Sequence, residues 1–259
     1  MKYPVGIDVG SASAEALILK DGKILAYSIL ETGANSRKAA ERALEEALRK
    51  AGISRSEIGP IVATGYGRIS VDFASRQVTE ISCYAKGINF LYPEVRMVID
   101  IGGQDSKAIL VGKNGRVLDF VMNDKCAAGT GRFLEVMAKV MEVNVEELGE
   151  ISLRSCNPAE ISSTCTVFAE SEVVSLIARG LPVEDIAAGI HKAIARRVGA
   201  MARRIGVTPP VAFAGGVAKN AGVVKALEEE LGVKLIVPEE PQIIGALGAA
   251  LLASESEGD

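Results

Sequence analysis

Apolar positions along this chain gather into short runs that close on glycine. Val5-Gly6-Ile7-Asp8-Val9-Gly10-Ser11 is apolar but for one aspartate, and Ala16-Leu17-Ile18-Leu19, Asp21-Gly22 and Ile24-Leu25 follow it. That order predicts three short antiparallel strands with Asp-Gly as a tight hairpin turn. The same grammar returns in Val98-Ile99-Asp100-Ile101-Gly102-Gly103, Ala108-Ile109-Leu110-Val111, Asn114-Gly115 and Val117-Leu118. Asp8 aligns with Asp100 and Gly10 with Gly102 at a common offset of 92, and one inserted residue brings Gly22 onto Gly115. An internal repeat of this kind divides the chain into two related halves, expected over 1–95 and 96–259, with the C-terminal helix able to pack back onto the first.

Other segments fill in the halves. Ser36 to Ala51 is rich in alanine, glutamate and basic residues and predicts an exposed amphipathic helix. Ile61-Val62-Ala63-Thr64-Gly65-Tyr66-Gly67-Arg68 predicts a strand ending in a glycine turn. Val211-Ala212-Phe213-Ala214-Gly215-Gly216-Val217 predicts another, followed by a helix from about Asn220 to Leu231 whose N-terminus suits an anion or adenosine.

Composition narrows the class. The 259 residues, 48% hydrophobic and 24% charged, allow one large domain or two smaller ones with a sizeable core. A net charge of −4 and the absence of tryptophan argue against nucleic acid as a partner. No run approaches the roughly 18 apolar residues of a membrane span. The longest candidate, Ile243 to Ala253, is broken by Gly245 and Gly248, and Asp8 follows too soon for a signal-peptide core. A cytoplasmic protein with no membrane partner is expected. One histidine, His191, excludes a multi-histidine metal site and weakens any nucleophilic triad.

An aspartate inside a buried strand must be paired, hydrogen-bonded or near a cation. Here two occupy equivalent places, each followed by a glycine turn whose N–H groups can approach an anion closely. Asp8 and Asp100 are therefore expected to hold Mg²⁺, through water, while Gly10, Ser11, Ala12, Ser13, Gly102 and Gly103 cradle the phosphates of a nucleotide triphosphate. Gln104 or Asp105 is expected to orient the attacking water, and Gln104 is counted with Asp8 and Asp100 as catalytic. The ordered series of two Asp-x-Gly hairpins and an Ala-Gly-Gly turn resembles the actin, Hsp70 and sugar-kinase ATPase superfamily. That resemblance implies an α/β fold of two related, ribonuclease H-like halves with ATP or ADP in the cleft between them. Gly215, Gly216, Lys219 and Asn220 should then line the adenosine side, with Gln242 nearby. No Gly-x-x-x-x-Gly-Lys-Ser/Thr loop, and no Gly-x-Gly-x-x-Gly after the first strand, offers another way to bind a nucleotide.

The four cysteines are Cys83, Cys126, Cys156 and Cys165, with no Cys-x-x-Cys pair. Cys126 and Cys165 each precede a predicted helix, Thr130 to Met141 and Val167 to Arg179, with Ser163 and Thr164 as caps of the second. A helix N-terminus favours thiolate, the form that binds metal. A [4Fe–4S] cluster takes four thiolates. Either Cys83 and Cys156 complete the set within one chain, or a two-fold dimer supplies Cys126 and Cys165 from each copy. The dimer is favoured, with Cys83 a buried apolar residue and Cys156 an incidental loop thiol.

Around these cysteines the resemblance becomes close. Asn123-Asp124-Lys125-Cys126-Ala127-Ala128-Gly129-Thr130-Gly131-Arg132-Phe133-Leu134-Glu135 and Ser162-Ser163-Thr164-Cys165-Thr166-Val167-Phe168-Ala169-Glu170-Ser171-Glu172 resemble signatures of the 2-hydroxyacyl-CoA dehydratase activators and benzoyl-CoA reductase ATPase subunits. Asp100 to Lys107 and Ala63 to Arg68 match the same group. Membership implies a homodimer bridged by one [4Fe–4S] cluster on Cys126 and Cys165. ATP hydrolysis would drive a low-potential electron into an iron–sulfur dehydratase or reductase, with ferredoxin or flavodoxin as donor. This chain departs from the pattern twice. Ser11-Ala12-Ser13-Ala14-Glu15 stands where the family usually has Ser-Thr-x-Ser-Lys, and Tyr84 stands where histidine is common. A small-molecule kinase on the same framework, needing no iron, is the rival from another class, and an ATP-reading module without electron transfer is a third.

Overall fold

A computed structural model describes residues 2–162 and 165–255. The chain begins with β1 (Tyr3–Val9), β2 (Ser13–Lys20), β3 (Lys23–Glu31), α1 (Ser36–Ala51), β4 (Ile58–Thr64), β5 (Arg76–Gln77) and α2 (Glu80–Leu91). It continues with β6 (Met97–Ile101), β7 (Ser106–Val111), β8 (Val117–Asn123), α3 (Gly131–Val140), α4 (Leu148–Leu153) and α5 (Thr166–Ala178). The last elements are α6 (Val183–Arg203), β9 (Val211–Ala214), α7 (Ala221–Leu231), β10 (Leu235–Ile236) and α8 (Ile244–Glu255).

Two five-stranded sheets run β3-β2-β1-β4-β5 and β10-β9-β6-β7-β8. Read backwards, the second order maps onto the first strand for strand, so the duplication legible in the sequence is a duplication of topology. β1 pairs antiparallel with β2 and parallel with β4, giving a mixed sheet. Both hairpin turns place two successive residues at positive φ, Asp21 (50°) with Gly22 (71°) and Asn114 (58°) with Gly115 (73°). Asx-Gly pairs tolerate that conformation best.

Strand alternation sorts the first sheet into two faces. Val5, Ile7, Val9, Ala14, Ala16 and Ile18 pack with Ala39, Ala40, Ala43, Leu44, Ala47 and Leu48 of α1. The helix starts where the Asn35 side chain accepts from the Lys38 N–H, and it stops at Gly52 with φ 68°. The opposite face carries Leu17 and Leu19 against Ala246, Leu247 and Ala250 of α8. Helix α8 is apolar on nearly every side and buried, from Ile244 to Ala253. Glycines bring it down onto its neighbours: a Cβ at Gly6 would overlap the Ala246 carbonyl, and one at Gly248 the Cys83 carbonyl.

Contacts divide the chain into two compact units. One comprises Met1–Val98, Ile109–Asp119 and Glu239–Asp259, and the other Ile99–Ala108 and Phe120–Pro238. Among the described residues no helix is long and apolar enough to cross a membrane.

Candidate functional site

In the first unit, β1 and β2 are joined by the turn Gly10–Ala12. The Gly10 N–H donates to the Ser13 carbonyl at 2.8 Å, and the Thr32 hydroxyl donates to the Gly10 carbonyl at 2.9 Å. The Thr32 N–H donates to the Ala12 carbonyl at 3.0 Å. Thr32 thus braces the turn on two sides; it stands just past β3, and nothing in the residue order marks it beyond that position. Gln242, from the segment before α8, donates to the Ser13 hydroxyl at 3.4 Å, so two of the expected nucleotide residues meet. Asp8 is 5% exposed and pairs in register with Glu15 of β2 on one side and Thr64 of β4 on the other. Register partners point to the same face, here the face covered by α8, where a Cβ at Gly245 would overlap Asp8 Oδ2.

The second unit repeats this arrangement with different charges. The Gly102 N–H donates to the Asp105 carbonyl at 3.0 Å, the equivalent of the Gly10 bond. Lys107 occupies the place of Glu15. Its Nζ lies 2.8 Å from Asp100 Oδ2 and 2.9 Å from Asp105 Oδ1, with the lysine 4% exposed. Burial disfavours the ammonium charge, but the Asp100 and Asp105 carboxylates outweigh it and hold the Lys107 pKa above its ordinary value. Asp105 is therefore engaged by Lys107, while Gln104 is exposed.

Each unit closes a parallel strand on a glycine in nearly the same conformation. Gly65 follows β4 with φ 83° and ψ 177°, and Gly215 follows β9 with φ 84° and ψ 172°. A Cβ at Gly65 would overlap Asp8 Oδ1, and one at Gly215 would overlap Asp100 Oδ1. Only glycine lets these turns sit against the buried aspartates. After Gly215 a short 3-10 turn, Gly216–Lys219, exposes Gly216 and Lys219 before α7 begins. Asn220 caps α7: its Oδ1 accepts from the Val223 N–H at 3.0 Å, and its Nδ2 faces His191 Nε2 at 3.4 Å.

The cysteines separate by environment. Cys83 is fully buried, and burial pushes its thiol up to about 12, unsuited to a thiolate ligand. Cys156 is exposed. Cys165 is exposed and holds the N-cap position of α5. Ser163 and Thr164, the expected caps, lie outside the described residues. Cys126 is partly buried in a loop ahead of α3, whose N-cap is Thr130. The Asn123 side chain donates to the Cys126 carbonyl at 2.8 Å and holds that loop. The first amides of α3 are directed elsewhere: Gly131 N–H donates to the Gly102 carbonyl and Arg132 N–H to the Gly103 carbonyl, both at 2.8 Å. Cys165 thus stands at a helix start, whereas Cys126 is linked through α3 to the second glycine turn. Among the described residues of the single chain, no three His, Cys, Asp or Glu side chains are grouped to hold a metal.

Helix α6 touches several of these parts. His191 meets Ser152 and Asn220, and Arg196 donates to the Ile161 carbonyl at 2.6 Å, a few residues before Cys165. Arg197 and Val198 pack against Gly129, three residues after Cys126.

A family model described as the BadF/BadG/BcrA/BcrD ATPase family matches residues 5–253. The solved activator of the 2-hydroxyisocaproyl-CoA dehydratase from Clostridium difficile, with bound ADPNP, is 50% identical, covers 99% of this chain and 97% of its own, and superposes with a TM-score of 0.93. Component A of the Acidaminococcus fermentans (R)-2-hydroxyglutaryl-CoA dehydratase is 48% identical over 100% of both chains, with a TM-score of 0.97. A ROK family glucokinase from Streptomyces griseus, 14% identical over 98% of this chain and 99% of its own, shares the fold at a TM-score of 0.61. The chain has the actin-like ATPase fold that the resemblance implied.

Proposed function

The chain belongs to the BadF/BadG/BcrA/BcrD ATPase family, and on that premise we propose that it is an ATP-driven electron-transfer activator of a CoA-ester dehydratase or related reductase. Its relatives of about half-identical sequence include a dehydratase activator and a dehydratase component. ATP hydrolysis would accompany passage of a low-potential electron from a [4Fe–4S] cluster, shared by two copies of the chain, into the partner enzyme. Ferredoxin or flavodoxin would reload the cluster, all in the cytoplasm.

One observation carries the reading: the carbonyls of Gly102 and Gly103 hold the first two amides of α3, directly downstream of the Cys126 loop. The turn that would cradle phosphate and the segment that would hold iron are therefore tied by two hydrogen bonds. Gly10, Ser11, Ala12, Ser13, Gly102 and Gly103 would bind the phosphates through backbone N–H groups. Gly215, Gly216, Lys219 and Gln242 would line the adenosine, with Asn220 holding the turn from behind. Of the two buried aspartates, Asp8 is the better seat for Mg²⁺, because Lys107 already neutralises Asp100 while the register partner of Asp8 is a second carboxyl side chain, Glu15. Gln104, exposed beside the second turn, would orient the attacking water.

The residues also fit the cluster. Cys126 and Cys165 are solvent-accessible thiols, and two from each copy give the four thiolates the cluster takes. Helix α5, which starts at Cys165, exposes Val167, Phe168, Val174 and Ile177, apolar surface suited to a second copy. Anaerobic purification tests the whole: about four irons per dimer are expected, and Cys126→Ser or Cys165→Ser should lose the iron while still binding ADP. Iron-free wild-type protein that phosphorylates a metabolite would replace this reading with the kinase.

A further inference from the structure

His191 is the chain's sole histidine, lies 1% exposed in the middle of α6, and has no part in the chemistry above. Its bonding pattern admits one proton position. Ser152 Oγ donates to the Gly149 carbonyl at 2.7 Å, so its hydrogen is committed, and it can only accept from His191 Nδ1 at 2.9 Å. The proton therefore sits on Nδ1, and Nε2 is left as an acceptor. Asn220 Nδ2 faces that acceptor at 3.4 Å, while Asn220 Oδ1 accepts from the Val223 N–H. Flipping the Asn220 amide would set a carbonyl against the imidazole lone pair and an NH₂ against the Val223 N–H. The other tautomer would set hydrogen against hydrogen at Nε2. A directed chain thus runs from Val223 and Asn220 through His191 and Ser152 to Gly149.

Two glycines make room for it. A Cβ at Gly222 would overlap both Ser152 Oγ and His191 Nδ1, and one at Gly149 would stand 2.8 Å from Asn220 Oδ1. Burial lowers the imidazole pKa to about 4, so the ring stays neutral near pH 7 and the chain keeps its direction. Asn220 directly follows the Gly216–Lys219 turn and is its last anchor, with the Asn220 N–H donating to the Val217 carbonyl at 3.0 Å.

We propose that His191 is a positioning residue for nucleotide binding: as the neutral Nδ1–H tautomer it fixes the Asn220 amide and, through it, the turn from Gly215 to Lys219. This rests on the reading above that this turn seats adenosine. The histidine touches no nucleotide; it acts through Asn220.

A single imidazole makes the test direct. In uniformly ¹⁵N-labelled protein at pH 7, long-range ¹H–¹⁵N spectra should show a neutral Nδ1–H ring whose Nε2 resonance moves when ADP is added. An Nε2–H ring, or an Nε2 signal that ignores saturating ADP, would overturn the proposal. Two variants separate positioning from packing. His191→Gln keeps an acceptor near the Nε2 position, whereas His191→Asn keeps only the Nδ1-like donor. With a buried hydrogen bond lost, His191→Asn should weaken ADP binding about tenfold, and His191→Gln should restore it to within about threefold of wild type. Equal affinities in the two variants would count against the role. Wild-type protein that binds no ADP would instead remove the nucleotide reading itself, and this inference with it.

Discussion

Asp8 and Glu15 stand directly opposite each other on neighbouring antiparallel strands, and both are buried. In the other half the same position holds Lys107 against Asp100. One fold thus supports a carboxylate pair in one hairpin and an ion pair in its copy. Glu15 puts a carboxyl group on the strand leaving the Gly10 turn, where the other hairpin has the cation Lys107. Glu15→Lys should tighten ADP binding by about tenfold at low ionic strength, with the gain shrinking as salt is added. Calorimetric titration at two salt concentrations checks it; an affinity that does not change would show that the nucleotide never feels this charge.

Lys107 pairs with both Asp100 and Asp105. Replacing it with methionine keeps the length and removes the ammonium from between two carboxylates in a mostly buried place. Lys107→Met should lower stability by roughly 3–5 kcal/mol, the cost typical of breaking a buried pair from one side. Urea denaturation of the variant and the wild type measures this. A loss well under 1 kcal/mol would mean that water relieves the two acids.

The seating of α8 depends on the absence of a methyl group. A Cβ at Gly248 would overlap the Cys83 backbone carbonyl, which cannot swing aside as a side chain can. Gly248→Ala should therefore destabilise by about 1–3 kcal/mol, despite alanine's better helix propensity. The melting temperature should fall by several degrees. A rise would show that the two helices, α8 and α2, can separate at no cost.

Acid should unfold the protein partly through His191. Burial is the sole cause of its lowered pKa, about 4 against 6.5 for the exposed side chain. Between those values the unfolded chain binds the proton more readily, so stability rises with pH across this window. The contribution is complete above about pH 6.5 and is lost as pH falls toward 4, amounting to roughly 3 kcal/mol. His191→Gln should remove that share of the slope in denaturation midpoints taken from pH 7 to 4. Identical slopes would place the proton elsewhere.

Much of this was legible from residue order, because short-range rules set it. The Asp21-Gly22 and Asn114-Gly115 turns, the repeat they punctuate, and α1 between the Asn35 cap and Gly52 all follow from local preferences. The parts that were missed depend on distant partners. Thr32 gave no sign that its hydroxyl would brace Gly10. Cys126 read as a helix-start cysteine, yet the first amides of α3 are taken by Gly102 and Gly103, which are far away in sequence. Asn220 read as a ligand contact, and its amide is occupied by α7 and His191. Helix α6 carried no motif, and its importance lies in what it touches.

That helix has a mechanical corollary. Its 21 residues run without a break past the Asn220 cap, the Gly129 bend and the Ile161 carbonyl, the last held by Arg196. A stiff rod gripped at three stations cannot yield at one of them alone. Were the turn from Gly215 to Lys219 to seat a nucleotide as proposed, a shift there would be passed along this rod toward Gly129 and Ile161, like a seesaw whose far seat rises as the near one is loaded.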